Sequence, residues 1–265
     1  MQYEHISLEI DEPCAVLSLR RPDTLNAFTY QTLAEIRDAI DKCGADARVI
    51  GIIITGQGRA FSAGLDMSVL QATTESDSAP ESTQSDQLPG IFSYLIEVPK
   101  PIIACINGIA AGGGLILALM SDLRFASEDA RLTTVFLKRG LISEHGSSWL
   151  LPRMTNISTA LDLLWMSEKI SATEAKSLGL IDRVYPADEL IEAARNYIRR
   201  LGETSAPKAI GESKLLVYRH LGMQYEEALR DAEASQNRFV TAADAKEGAL
   251  SFIERRLPNF DRIGD

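Results

Sequence analysis

Positive charge is scarce in this 265-residue chain: 27 lysines and arginines stand against 37 aspartates and glutamates, a formal net charge of −10. That balance argues against a nucleic-acid partner, because a phosphate backbone is held by clustered basic side chains. An anionic ligand has to be gripped locally, by single basic side chains and backbone N–H groups working against the overall field. Cysteine is scarce too. Cys14, Cys43 and Cys105 lack metal-ligand spacing, and an odd number without a framework points to a reducing compartment. His5, His145 and His220 are too dispersed to suggest a metal site. Long apolar runs are missing as well. The stretch from Ile102 to Met120 is broken by Asn107 and four glycines, and nothing approaches the ~20 apolar residues of a membrane span. Met1 to Asp11 carries Glu4, Glu9 and Asp11 with no apolar signal core. The expectation is a cytoplasmic protein without metal, membrane or nucleic acid.

What is present reads as α/β. Ile6–Ile10 and Ala15–Leu19 are short strands joined at Asp11-Glu12-Pro13, and Val49–Thr55 is a β-branched run suited to a strand buried on both faces. Leu33, Ile36 and Ile40 give Thr29–Cys43 a helical period. Helical Ile91–Val98, a strand at Ile102–Ile106, an apolar helix at Gly112–Ser121 and a strand at Leu123–Ala126 continue the alternation. After the strand-like Leu180–Tyr185, everything reads as helix: Ala187–Gly202, Lys208–His220, Gln224–Phe239 and Ala242–Arg256. Between Gln71 and Gly90, Ser, Thr, Asp, Glu and Pro dominate, which predicts a surface loop, either a tolerated insertion or a lid.

Two segments carry chemistry: Ala60-Phe61-Ser62-Ala63-Gly64-Leu65-Asp66 and Asn107-Gly108-Ile109-Ala110-Ala111-Gly112-Gly113-Gly114. Each follows a buried strand and opens toward a helix, where small residues let a ligand approach the backbone. Free N–H groups at such a turn point outward, and two converging on one carbonyl oxygen make an oxyanion hole. A phosphate loop does not fit, because the run from Gly108 lacks both Gly-Lys-Ser/Thr and Gly-x-Gly-x-x-Gly spacing. Gly146-Ser147-Ser148-Trp149-Leu150 likewise lacks the second glycine of a serine-nucleophile elbow.

Together the segments resemble the crotonase (enoyl-CoA hydratase/isomerase) family. Arg21-Pro22 with Leu25-Asn26-Ala27, Ile170-Ser171-Ala172 with Ala175, Gly179-Leu180 and Val184, and Glu247-Gly248 with Phe252, Arg255 and Arg256 extend the resemblance over nearly the whole chain. The resemblance implies an α/β fold, a crotonase-like spiral of ββα units with a C-terminal helical region. Residues 1–200 would form the spiral core with its acyl-CoA site, and 201–265 a helical oligomerisation region. It further implies a homotrimer or a dimer of trimers, and an acyl-CoA thioester substrate with coenzyme A as part of the substrate and no separate cofactor. The N–H groups of Ala63 and Gly113 would hold the thioester oxygen. Thr24, Leu25, Ala60 and the stretch Ala63, Gly64, Leu65 and Asp66 would line the CoA groove, with Phe252 and Arg255 reaching a neighbouring subunit's CoA.

The sequence departs from that pattern at the acids. The family's hydratases carry one glutamate two residues after the triple glycine, here Ile116, and another at the position aligned, through Gly140, with Phe136. Both would instead be apolar walls of the substrate pocket. An acid stands nearby in Leu141-Ile142-Ser143-Glu144-His145-Gly146, similar to the Pro-Glu-Gly segment of the family's Δ3,Δ2-enoyl-CoA isomerases. One carboxylate facing an oxyanion-bound thioester can remove an α-proton and return it at the γ-carbon. Glu144 is therefore the expected acid/base of a double-bond isomerase. His145 is either a partner in catalysis or a packing residue. Hydration by Glu144, with or without His145, and non-catalytic acyl-CoA binding are the alternatives.

Overall fold

Three consecutive isoleucines set the architecture. In the computed structural model Ile52 and Ile54 enter one hydrophobic core and Ile53 enters another, as the two-residue period of a strand requires. Neighbouring strands obey the same parity: Ala15, Leu17, Ile102, Ala104 and Ile106 join the first core, and Cys14, Val16, Ile103 and Cys105 the second. A one-residue slip would send each side chain to the wrong core. The structure describes residues 3–69, 71 and 90–264. Most of the polar stretch expected to be a loop or lid between Gln71 and Gly90 lies outside the described residues.

The strands are β1 (Ile6–Asp11), β2 (Cys14–Leu19), β3 (Gly51–Gly56), β4 (Ala60–Ser62), β5 (Ile102–Ile106), β6 (Ile109–Ala111), β7 (Leu123–Ser127), β8 (Arg131–Thr133), β9 (Ile170–Ser171) and β10 (Arg183–Tyr185). The helices are α1 (Tyr30–Ala45), α2 (Gly113–Leu119), α3 (Ser147–Met154), α4 (Ile157–Met166), α5 (Ala172–Ser177), α6 (Leu190–Thr204), α7 (Pro207–His220), α8 (Tyr225–Phe239) and α9 (Ala243–Glu254). One sheet runs β1-β2-β3-β5-β7-β10, parallel except for the β1–β2 hairpin; the other runs β4-β6-β8-β9. Successive pairs β3/β4, β5/β6 and β7/β8 each give their first strand to the large sheet and their second to the small one. The turns from β4 and β6 are thereby delivered to the same place, because β4 and β6 are neighbours.

The two cores are closed from opposite sides. Helix α1, capped by Thr29 and buried through Ile36, Ala39 and Ile40, covers the first; α6 covers the second with Leu190, Ala194 and Ile198. Helix α7 is fastened to the core by an ion pair with little solvent access. Lys214 Nζ lies 2.8 Å from Asp122 Oδ2 and also donates to the carbonyls of Leu95 and Lys100. Burial pushes Asp122 up and Lys214 down from their ordinary ranges, and each partner opposes the other's shift.

Two expected elements differ. The helix predicted over 91–98 is only a 3₁₀ turn, Ser93–Glu97, because Pro99 and Pro101 follow and a residue before proline avoids the helical region. The strand predicted from Leu180 starts at Arg183. Leu180 and Ile181 instead donate their N–H groups to Ala175 O, in a bend that Gly179 permits at φ +86°.

Candidate active site

Residues 25–28 are stitched along the first small-residue segment. Phe28 N–H donates to Gly64 O at 2.7 Å, and Asp66 N–H donates back to Phe28 O at 2.9 Å. Arg21 braces the junction, reaching Ala27 O and standing 3.1 Å from Asp66 Oδ2. The hydrogen bonds from the Ser68 hydroxyl and N–H, seconded by Arg21, hold the Asp66 carboxyl below its usual range. Asn26 is the buried centre. It donates to Gln57 O and Ala60 O, accepts from Arg21 N–H, and its own carbonyl receives the Ser62 hydroxyl. Leu25 and Asn26 both adopt positive φ, +54° and +56°, a conformation held here by these bonds.

The backbone donors fall out differently from the sequence expectation. Ala63 N–H is spent on Leu25 O at 2.9 Å, and Gly64 N–H on the Ser62 hydroxyl at 3.2 Å. Leu65 N–H has no acceptor among the described residues: in the parallel bridge to Phe28 the bonds run through Gly64 O and Asp66 N, so the amide of Leu65 points away from it. Gly113 N–H, in the first turn of α2, also lacks an acceptor among the described residues. The two loops touch. A methyl group on Gly64 would fall 2.7 Å from Ala111 O and 3.0 Å from Gly113 N, and Gly64 sits at φ +90°. The unbonded pair is therefore Leu65 and Gly113 rather than Ala63 and Gly113. No side-chain pattern announces Leu65, since its availability follows from how Phe28 pairs.

Other expected groove residues scatter. Thr24 is exposed and Leu25 half-buried, but Ala60 is 1% exposed, with its carbonyl taken by the Asn26 and Asn107 amides, so it adds no surface to a groove. Ile116 is fully buried in α2 and Phe136 nearly so, both in the first core. Phe136 comes close to Gly112, as does Val135, a β-branched residue at φ +54°. Phe252 is 85% exposed and Arg255 caps α9; no hydrogen bond among the described residues ties either side chain to the loops.

Glu144 lies on the turn leading into α3. Its side chain is one-third exposed, and His145 Nε2, at 3.7 Å from Oε2, is the partner recorded for its carboxylate. Burial pushes the His145 imidazole below its ordinary value while Glu144 pulls it back up. The turn is connected to the second donor loop through intervening residues. Gly146 rests on the Met120 side chain at the end of α2, and Gly90, beside His145, precedes Ile91, whose side chain faces Gly113. Among the described residues no group of three or more His, Cys, Asp or Glu could hold a metal ion, and no helix is long and apolar enough to cross a membrane. Two surface grooves of about 380 and 450 Å³ lie beside α4 and beside α6.

Known proteins share this fold. A structure of a putative enoyl-CoA hydratase from Streptomyces coelicolor A3(2) superposes with a TM-score of 0.89 at 30% identity, covering 100% of this chain and 96% of its own. The chain is thus an α/β protein of the crotonase fold. A probable enoyl-CoA hydratase of Bacillus subtilis (strain 168) is 35% identical over 256 residues, 96% of this chain and 98% of the relative. A crotonyl-CoA hydratase of Syntrophomonas wolfei is 34% identical over 263 residues, 98% and 99%. The model of the enoyl-CoA hydratase/isomerase family matches residues 9–262, and the chain belongs to that family.

Proposed function

We propose that this enzyme moves a proton on an enoyl-CoA thioester with Glu144 as its single acid/base, shifting a 3,4 double bond into conjugation. The observation that carries this reading is the placement of the acids: Ile116 and Phe136 are buried apolar side chains, Asp66 is engaged by Arg21 and Ser68, and Glu144 stands one-third exposed on a turn joined to Gly113 through Gly90 and Ile91. The Glu144 carboxylate takes the proton from C2, and the released electron pair delocalises onto the thioester oxygen. The N–H groups of Leu65 and Gly113 hold that oxygen, each contributing on the order of 3 kcal/mol at the transition state. The protonated Glu144 then returns its proton to C4, leaving the double bond between C2 and C3 and the carboxylate restored.

Hydration is the second reading, and the names of the relatives favour it, since both curated relatives above are called hydratases. It needs Glu144 to activate water, with His145 or the same carboxyl group protonating C2. Incubation with a 3-enoyl-CoA and, separately, a 2-enoyl-CoA decides between them by product mass. A new species of unchanged mass from the 3-enoyl ester supports isomerisation. A product one water heavier from the 2-enoyl ester, with the 3-enoyl ester untouched, replaces it with hydration.

The same reading makes the tail an assembly surface. Val217, Leu229, Val240, Phe252 and Ile253 are exposed apolar side chains between residues 207 and 254, and light scattering is expected to give a trimer or a multiple of it.

A further inference from the structure

Among the described residues the Glu144 carboxylate has no side-chain partner nearer than His145 Nε2 at 3.7 Å, yet its backbone carbonyl is held twice. Ser147 N–H donates to Glu144 O at 3.0 Å, and the Ser147 hydroxyl donates to the same oxygen at 2.7 Å. That hydroxyl has one proton, already used, so the 2.7 Å contact with Ser143 Oγ has the Ser143 hydroxyl as donor. A directed chain thus runs from Ser143 through Ser147 to the Glu144 carbonyl, closing the turn on both sides of the acid. Ser147 itself is fully buried, at the first residue of α3, whose Leu150 and Leu151 are anchored in the first core. The residues between, His145 at φ +51° and Gly146 at φ +82°, give the turn a conformation that the two hydroxyls hold in register.

We infer that Ser147, seconded by Ser143, is a positioning residue: it fixes the main chain of Glu144 to the core so that a one-third-exposed carboxylate keeps its aim at the thioester. This rests on Glu144 being the acid/base. Misplacing a catalytic group by about 1 Å costs on the order of a hundredfold in rate, whereas the proposed hold on the thioester oxygen through the N–H groups of Leu65 and Gly113 does not involve this turn. Ser147→Ala is therefore expected to lower kcat by about tenfold to a hundredfold with KM within about threefold. Ser143→Ala should fall between wild type and Ser147→Ala, and Ser143→Thr, which keeps the hydroxyl, should recover the wild-type rate.

The variants are assayed on whichever enoyl-CoA the enzyme turns over, with melting temperatures measured in parallel. A Ser147→Ala protein of wild-type kcat overturns the inference, and so does a loss matched by an equal loss of folded protein. If Ser147→Ala does not fold, the Ser143 pair decides: equal rates for Ser143→Ala and Ser143→Thr overturn it. Glu144→Gln, run alongside, separates the two layers. Its inactivity beside an active Ser147→Ala removes only the positioning role, whereas an active Glu144→Gln removes the acid/base reading beneath it.

Discussion

The donor loops and the acid-bearing turn are built on opposite principles. The loops at 60–66 and 107–114 sit between strands of two sheets, and backbone bonds, the Asn26 network and glycines without room for a methyl group fix them. The turn at 143–147 stands at the margin, its carboxylate one-third exposed and its conformation held by two serines. Under the proposed function, the grip on a thioester oxygen would be part of the fold, while the proton-transferring group would be an attachment to it. Positions 116 and 136 contribute to the rigid part instead, because Ile116 and Phe136 are packed into the first core.

Three substitutions sharpen or break this contrast. The largest effect is expected from Glu144→Gln, which should cut kcat by roughly 10²- to 10⁴-fold with little change in KM or melting temperature. A comparable loss of folded protein would show that the turn belongs to the rigid part after all. Gly64→Ala should cost both quantities: the methyl meets Ala111 O and Gly113 N at a positive φ, so a loss of about 100-fold in rate should accompany a lower melting temperature. Wild-type behaviour there would mean that the loops can relax and that the tight fit is incidental.

The smallest effect concerns pH. His145 titrates lower in the folded protein than the ordinary 6.5, so between its folded value and 6.5 the unfolded chain binds more protons. Stability should therefore rise with pH across that window. Denaturant titrations from pH 5 to 8 should show this slope in the wild type and a flatter one in His145→Asn. An unchanged slope would assign it to other groups.

The sequence made the large sheet legible because its strands carry the code in their own side chains: Ile52 to Ile54 could hardly be anything but a strand buried on both faces. The small sheet was not legible. Strands such as Ala60–Ser62 and Ile109–Ala111 have three residues each, too few for a period to register, and their existence depends on neighbours far along the chain. The same distinction separates the site residues. Glu144 stands out by its setting and Gly113 through the family resemblance, whereas Ala63, the other donor that the resemblance implies, has its N–H bonded to Leu25 O. Leu65 could be found only from the pairing of Phe28, a contact spanning nearly forty residues of sequence.

The Leu65 amide has a consequence for anyone mapping this protein by mutation. A donor supplied by main chain is shared by nineteen of the twenty residues, so a saturation library at position 65 would report a tolerant surface site, in keeping with its 37% exposure. Proline alone deletes the N–H. Ranked by tolerance, the position would look dispensable, although its amide would be among the groups closest to the reacting oxygen.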